Sequence, residues 1–128
     1  MGDHLMSLIK ANNITNTTGG IPTVKSQQLI PTAWVNFNGT GTVAIRDSEN
    51  VSSISDNGTG NYAVNFATTM ANSNYAVTAS TERTSNWADG GVNVTTPFTT
   101  TSVKVENIEA VAGVDTGIFS VIVMGGQA

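Results

Sequence analysis

From Ala33 to Met124 the chain consists largely of short runs in which apolar and polar residues alternate, punctuated by Asn, Asp and Gly. "AWVNF" sets Ala33, Val35 and Phe37 against Trp34 and Asn36, and "TVAIR" sets Val43 and Ile45 against Thr42, Ala44 and Arg46. "NYAVNF" aligns Tyr62, Val64 and Phe66, "NYAVTAS" aligns Tyr75, Val77 and Ala79, and "TSVKVEN" aligns Val103 and Val105. Successive side chains of a strand point to opposite faces, so a period of two describes strands buried on one face only. "ENVSSIS" breaks the rhythm, because Val51 and Ile54 are three apart. A bulge near Ser52 and Ser53 would return both to the core.

Composition narrows the class further. With 128 residues the chain suffices for one domain, which at this size buries roughly two thirds of its unfolded surface. Hydrophobic residues stand at 39% and charged residues at 11%, which is the opposite of the disordered pattern. Few charges, many Thr and Val, and 13 Gly fit an all-β domain with many turns. The fold expected is an antiparallel β-sandwich, jelly-roll-like, over residues 33–128, preceded by an extended arm over residues 1–32. The absence of Cys removes disulfides and thiolate metal sites and makes oligomerisation one route to stability. The net charge is −4, and the basic residues Lys10, Lys25, Arg46, Arg83 and Lys104 are scattered. Nucleic acid is therefore not an expected partner.

The N-terminal segment has weak periodicity. "ANNITNTTGGIPTV" isolates Ile14, Ile21 and Val24 among turn formers, while Pro22 and Pro31 oppose a helix. Such an arm is expected to lie against another subunit or another protein, with Leu8, Ile9, Ile14 and Ile21 as attachment residues. Neither a secretory signal nor a membrane span is expected, and Met6 offers a second start.

The quartet "NGTG" occurs twice, at residues 38–41 and 57–60, each time just before an alternating run. Asn and Gly both accept positive φ, so both copies read as reversals between antiparallel strands, placed at opposite corners of a meander. Both also satisfy the Asn-x-Ser/Thr sequon, as do Asn13, Asn16, Asn50 and Asn93, a pattern expected by chance in a chain so rich in Ser and Thr.

"STERTSNWADGGVNVTTP", residues 80–97, reads as a long loop with a short strand at "VNV". Long loops on compact β scaffolds carry recognition. Trp87 either stacks on a sugar face or protein hot spot, with Arg83, Asn86 and Asp89 fixing orientation, or plugs one end of the sandwich. The closing run "GIFSVIVMGG" is apolar on both faces. Phe119, Val121 and Val123 lie on one, and Ile118, Ile122 and Met124 on the other. That second face needs cover, and with Trp34 it forms the expected oligomer interface.

Catalytic chemistry finds no constellation. The only His is His4, in the arm, where a base could not be held to catalytic precision. The carboxylates show no acid/base spacing, so no catalytic residue is assigned. "DSEN" at 47–50 and "DNG" at 56–58 could ligate calcium through oxygen, but Asx turns explain both. No metal and no cofactor is expected.

From Leu29 to Val77 the chain resembles a β-sandwich module of fibre, spike and appendage proteins of tailed bacteriophages. The resemblance is carried by a Trp-Val-Asn-Phe-Asn-Gly strand and turn, an Arg-Asp-Ser bend, a "VSSI-x-D-x-G-x-G-x-Y" hairpin and an apolar-Met-x-x-x-x-Tyr strand pair, all present between Trp34 and Tyr75. The closing "FSVIVMG" is similar to the family's final strand, and "SLIKANNITNTTGG" looks like a virion-joining leader. The resemblance implies a virion protein, usually a homotrimer, joined to other virion proteins through its arm, with variable loops facing outward. Segment 80–97 departs from the family pattern, so the resemblance assigns no receptor. A host surface glycan is a partner expected only from the Trp87 loop. The resemblance implies no catalytic residues. The leading expectation is a small trimeric fibre or spike with an adhesive tip. A head fibre or capsid decoration without receptor role, and a free carbohydrate-binding module, are the alternatives.

Overall fold

The computed structural model describes residues 30–82, 91–109 and 112–126, together with the backbone of residues 23–24 and 27–28. In chain order the strands are β1 (Thr23–Val24), β2 (Gln27–Gln28), β3 (Ala33–Asn38), β4 (Ala44–Glu49), β5 (Val51–Gly58) and β6 (Asn61–Phe66). They continue as β7 (Tyr75–Thr81), β8 (Gly91–Thr95), β9 (Ser102–Glu109), β10 (Ala112–Gly113) and β11 (Phe119–Gly125). β1 and β2 pair as a two-rung hairpin. The remaining strands make two antiparallel sheets. Sheet I has the order β4-β3-β11-β7, and sheet II runs β5-β6-β9, with β8 and β10 also pairing β9. The chain is an all-β antiparallel sandwich.

The alternation sorts residues between the faces. Ala33, Val35, Phe37, Tyr75, Phe119, Val121 and Val123 from sheet I meet Tyr62, Val64, Phe66, Val103 and Val105 from sheet II, all of them buried. Every Phe and Tyr of the chain belongs to one of two aromatic clusters within this core. In the first, Phe37 and Phe119, partners in register on β3 and β11, stack at 5.0 Å, and Tyr62 meets both edge-on at 5.2 and 5.6 Å. In the second, Tyr75 stacks on Phe98 at 5.1 Å and takes Phe66 edge-on at 5.7 Å. Such pairs add about 0.5–1.5 kcal/mol each beyond the area they bury.

The break in rhythm at "ENVSSIS" is a bulge. The β5–β6 register shifts between Val51 and Ser53, and both Val51 and Ile54 pack on the core. A second shift on the same pair leaves Asn57 as the extra residue between Asp56, opposite Tyr62, and Gly58, opposite Asn61. On β4 a third leaves Arg46 unmatched between Asp47 and Ile45.

Both NGTG quartets are hairpin reversals, joining β3 to β4 and β5 to β6. They do not belong to one meander, because the first hairpin lies in sheet I and the second in sheet II. Nor do they lie at opposite corners, since both touch the segment 113–117. The reason is Asn50, the single residue between β4 and β5. Its φ of 53° turns the chain from one sheet to the other. Its side-chain nitrogen donates to the Thr32 carbonyl at 3.1 Å, and its side-chain oxygen accepts from the Thr68 amide at 2.7 Å. Its own carbonyl accepts from Ala67 at 3.1 Å. The span 80–97 is likewise less of a loop than its composition predicts. Ser80 and Thr81 end β7, while Gly91–Thr95 form β8 against β9.

The Asn50 corner yields a graded expectation. Asn50→Ala loses two side-chain hydrogen bonds, about 1 kcal/mol each, and keeps a Cβ in the left-handed region at a further cost of about 1 kcal/mol. Asn50→Gly loses the bonds but fits the backbone. Thermal unfolding should show both variants lowered, the Ala variant more so by several degrees. Equal melting temperatures for Asn50→Ala and the unmodified chain would remove Asn50 as the clasp.

Candidate functional site

Two regions of the described surface stand apart from the rest. The first is the outer face of sheet I. β3 and β11 are register partners, so Trp34 lies directly across from Ile122, and Asn36 from Ser120. On the next strand Met124 faces Ala76, and Ile122 faces Thr78. Alternation from buried Phe119 places Ile118 on the same outer side. Ile118 is 45% exposed and Ile122 42%, while Trp34 and Met124 are half-buried. The four residues expected at an oligomer interface are therefore brought onto one face of one sheet.

Polar groups rim this apolar stripe. Asn36 donates to Ser120 Oγ at 2.9 Å, and Arg46 reaches Asn36 Oδ1 at 3.4 Å and also donates to the Gly117 carbonyl. Glu82 accepts the Ile118 amide at 3.1 Å. Trp34 and Asn36 also face Glu49 and Asp47 of the edge strand β4. An apolar centre ringed by polar side chains is the anatomy of a protein–protein contact. Among the described residues, Ile30 and Ile45 are the other exposed large hydrophobic residues.

The second region is the end of the sandwich where the two NGTG turns meet the segment 113–117. The Gly39 amide donates to the Thr116 carbonyl at 2.9 Å, and the Gly60 amide to Asp115 Oδ1 at 2.7 Å. The Tyr62 hydroxyl lies 2.7 Å from Asp115 Oδ1 and 2.9 Å from the Gly39 carbonyl, with one proton to share between two acceptors. Asn107, buried, donates its amide to the Gly60 carbonyl at 2.8 Å and its side chain to the Val114 carbonyl at 3.0 Å. A cleft of about 180 Å³ opens beside this network, lined by Thr59, Asn61, Glu106 and Ile108 among others. Ligand pockets run to roughly 300–1,000 Å³, so this cleft is small for one. The network holds the turns in place.

Nothing in the sequence points to Tyr62–Asp115, because the partners are 53 residues apart and Asp115 stands in a stretch that reads only as a turn. Arg83, Asn86, Trp87 and Asp89, expected at a receptor contact, lie outside the described residues, as do Leu8, Ile9, Ile14 and Ile21. The aspartates considered for calcium make Asx contacts. Asp47 accepts the Ser48 amide at 2.9 Å and Asp56 the Gly58 amide at 3.0 Å. No family model, no curated protein and no solved structure matches this chain.

The two tyrosines give the core a pH dependence. Burial, and then the hydrogen-bonded Asp115 carboxylate, push the Tyr62 hydroxyl well above its ordinary value of 10.0. Burial raises Tyr75 also, and its hydroxyl donates to the Thr99 carbonyl at 2.9 Å. In the unfolded chain both ionise near pH 10. A raised folded pKa means that their contribution is intact below pH 10 and lost as pH rises from there. In an ultraviolet titration the folded protein should show little tyrosinate at pH 10, and then gain it together with unfolding. Half-ionised tyrosine in the folded protein at pH 10 would contradict this placement.

Proposed function

We propose that this chain is a structural protein of a tailed-bacteriophage virion, a small homotrimeric fibre or spike whose sandwich is the assembled tip. The observation that carries the proposal is the apolar outer face of sheet I, with Trp34, Ile118, Ile122 and Met124 on one side of two paired strands. Water-facing β-sheet surfaces are ordinarily polar, and the outer face of sheet II follows that rule. There Asn65 bridges Ser53 and Ser55 at 3.1 and 2.9 Å, beside Ser102 and Lys104. Among the described residues, sheet I carries exposed large hydrophobic residues on its outer face and sheet II carries none. The resemblance over Leu29–Val77 supplies the virion context and the three-fold state. The reading is non-catalytic.

The face predicts its own test. Light scattering should give the mass of a trimer at micromolar concentration, and Ile122→Glu should give a folded monomer. A charge placed at the centre of an apolar interface costs several kcal/mol of association, while at a solvent-exposed strand position it costs the monomer little. A monomeric unmodified protein, or an Ile122→Glu chain that remains trimeric, would sink this reading.

The attachment half is tested separately. A chain lacking residues 1–32 should fold and form trimers but no longer join phage particles in a reconstitution followed by electron microscopy. Undiminished joining would refute the arm as anchor.

A further inference from the structure

The two NGTG quartets are identical in sequence, yet the fold treats their Asn-Gly bonds in opposite ways. We propose that Asn57–Gly58 is a site of spontaneous self-modification, converting to aspartate and isoaspartate through a cyclic imide, while Asn38–Gly39 is protected.

The reaction is set by geometry. The backbone nitrogen of the glycine attacks Cγ of the preceding Asn, and its proton passes to a base. The side-chain amide nitrogen leaves as ammonia, closing a five-membered succinimide. Water then opens either imide carbonyl, giving Asp or isoAsp. One water is consumed and one ammonia released, with no change of oxidation state. Three conditions favour the first step: a side chain free to rotate, room for the ring, and a means of removing the amide proton.

Asn38 meets none of them. Its Nδ2 donates to the Thr40 carbonyl at 2.7 Å and to the Thr42 carbonyl at 3.3 Å. Its Oδ1 accepts from Thr40 Oγ1 at 2.8 Å and from the Thr40 amide at 3.4 Å. The attacking nitrogen would be that of Gly39, whose N–H is committed to the Thr116 carbonyl at 2.9 Å. Gly39 is buried so closely that a Cβ there would sit 2.5 Å from the Tyr62 hydroxyl.

Asn57 meets all three. It is exposed, it is the extra residue of a bulge, and its side chain makes no hydrogen bond among the described residues. Gly58, at φ 125°, has nothing within 4 Å of where a Cβ would stand, so the ring has space. The Gly58 N–H already points at a carboxylate, Asp56 Oδ1, at 3.0 Å. Asp56 is positioned to take the proton as the nitrogen closes on Cγ. The product inserts a methylene into the backbone when it is isoaspartate, and in either form adds a negative charge beside Asp56.

The whole protein, held folded at mildly alkaline pH and sampled over weeks, tests this by peptide mapping with mass spectrometry and an isoaspartate-specific methyltransferase. Asn57 should convert at least about tenfold faster than Asn38, a barrier difference of roughly 1.4 kcal/mol. In urea the two sites should converge, because the tripeptide chemistry is the same. Asp56→Ser should slow Asn57 while leaving the melting temperature in place. Equal rates in the folded protein, or a tenfold difference that persists in urea, would overturn the proposal. An unchanged rate in Asp56→Ser would overturn the proton-acceptor role of that carboxylate.

Discussion

Tyr62 is wholly buried between Phe37 and Phe119, and a phenol in that position must find a partner for its hydroxyl. An unsatisfied buried hydroxyl costs about 1–3 kcal/mol, a sizeable part of a small domain's net stability. The partners are Asp115 and the Gly39 carbonyl, one from the β10–β11 connection in the strand order and one from the β3–β4 turn. Asp115 in turn accepts the Gly60 amide from the β5–β6 turn. A ring from sheet II therefore joins a turn of each sheet to a single carboxylate. The core and the loops over it are held by the same side chain.

The opposite end is organised differently. There Asn50 carries the chain from sheet I to sheet II without a loop, and its amide fastens Thr32 and Thr68. Thr32 is itself buried, donating its amide to the Val123 carbonyl at 2.8 Å and its hydroxyl to Gly125 at 2.7 Å. The start of β3, the end of β11 and the crossing of β4 into β5 thus converge on a few hydrogen bonds. One end is secured by a buried aromatic with an acid, the other by a left-handed Asn. Between them the Val residues of both sheets need only pack.

With both ends secured within one chain, the outer face of sheet I is not required for the domain's own closure. Its Ile residues contribute nothing to the inner core, since Phe119, Val121 and Val123 already fill β11's share of it. These exposed apolar side chains are what the proposed oligomer contact rests on. The polar outer face of sheet II, in the same molecule and under the same composition, is the internal contrast.

Which residues go inside is legible in the chain's local pattern. Period-two alternation named nearly every core position from Ala33 to Val123, placed the bulge between Val51 and Ile54, marked both hairpin turns, and put Ile118, Ile122 and Met124 opposite Phe119. These are local properties, because the direction of a side chain follows from its position along its own strand. Which strands share a sheet, the meeting of the two NGTG turns at one end, and the bond between Tyr62 and Asp115 across 53 residues were set by the three-dimensional fold. It also decided that one Asn-Gly bond is locked and its twin is open. Those outcomes depend on pairing between distant segments, and four residues of identical sequence carry no information about what will be packed against them.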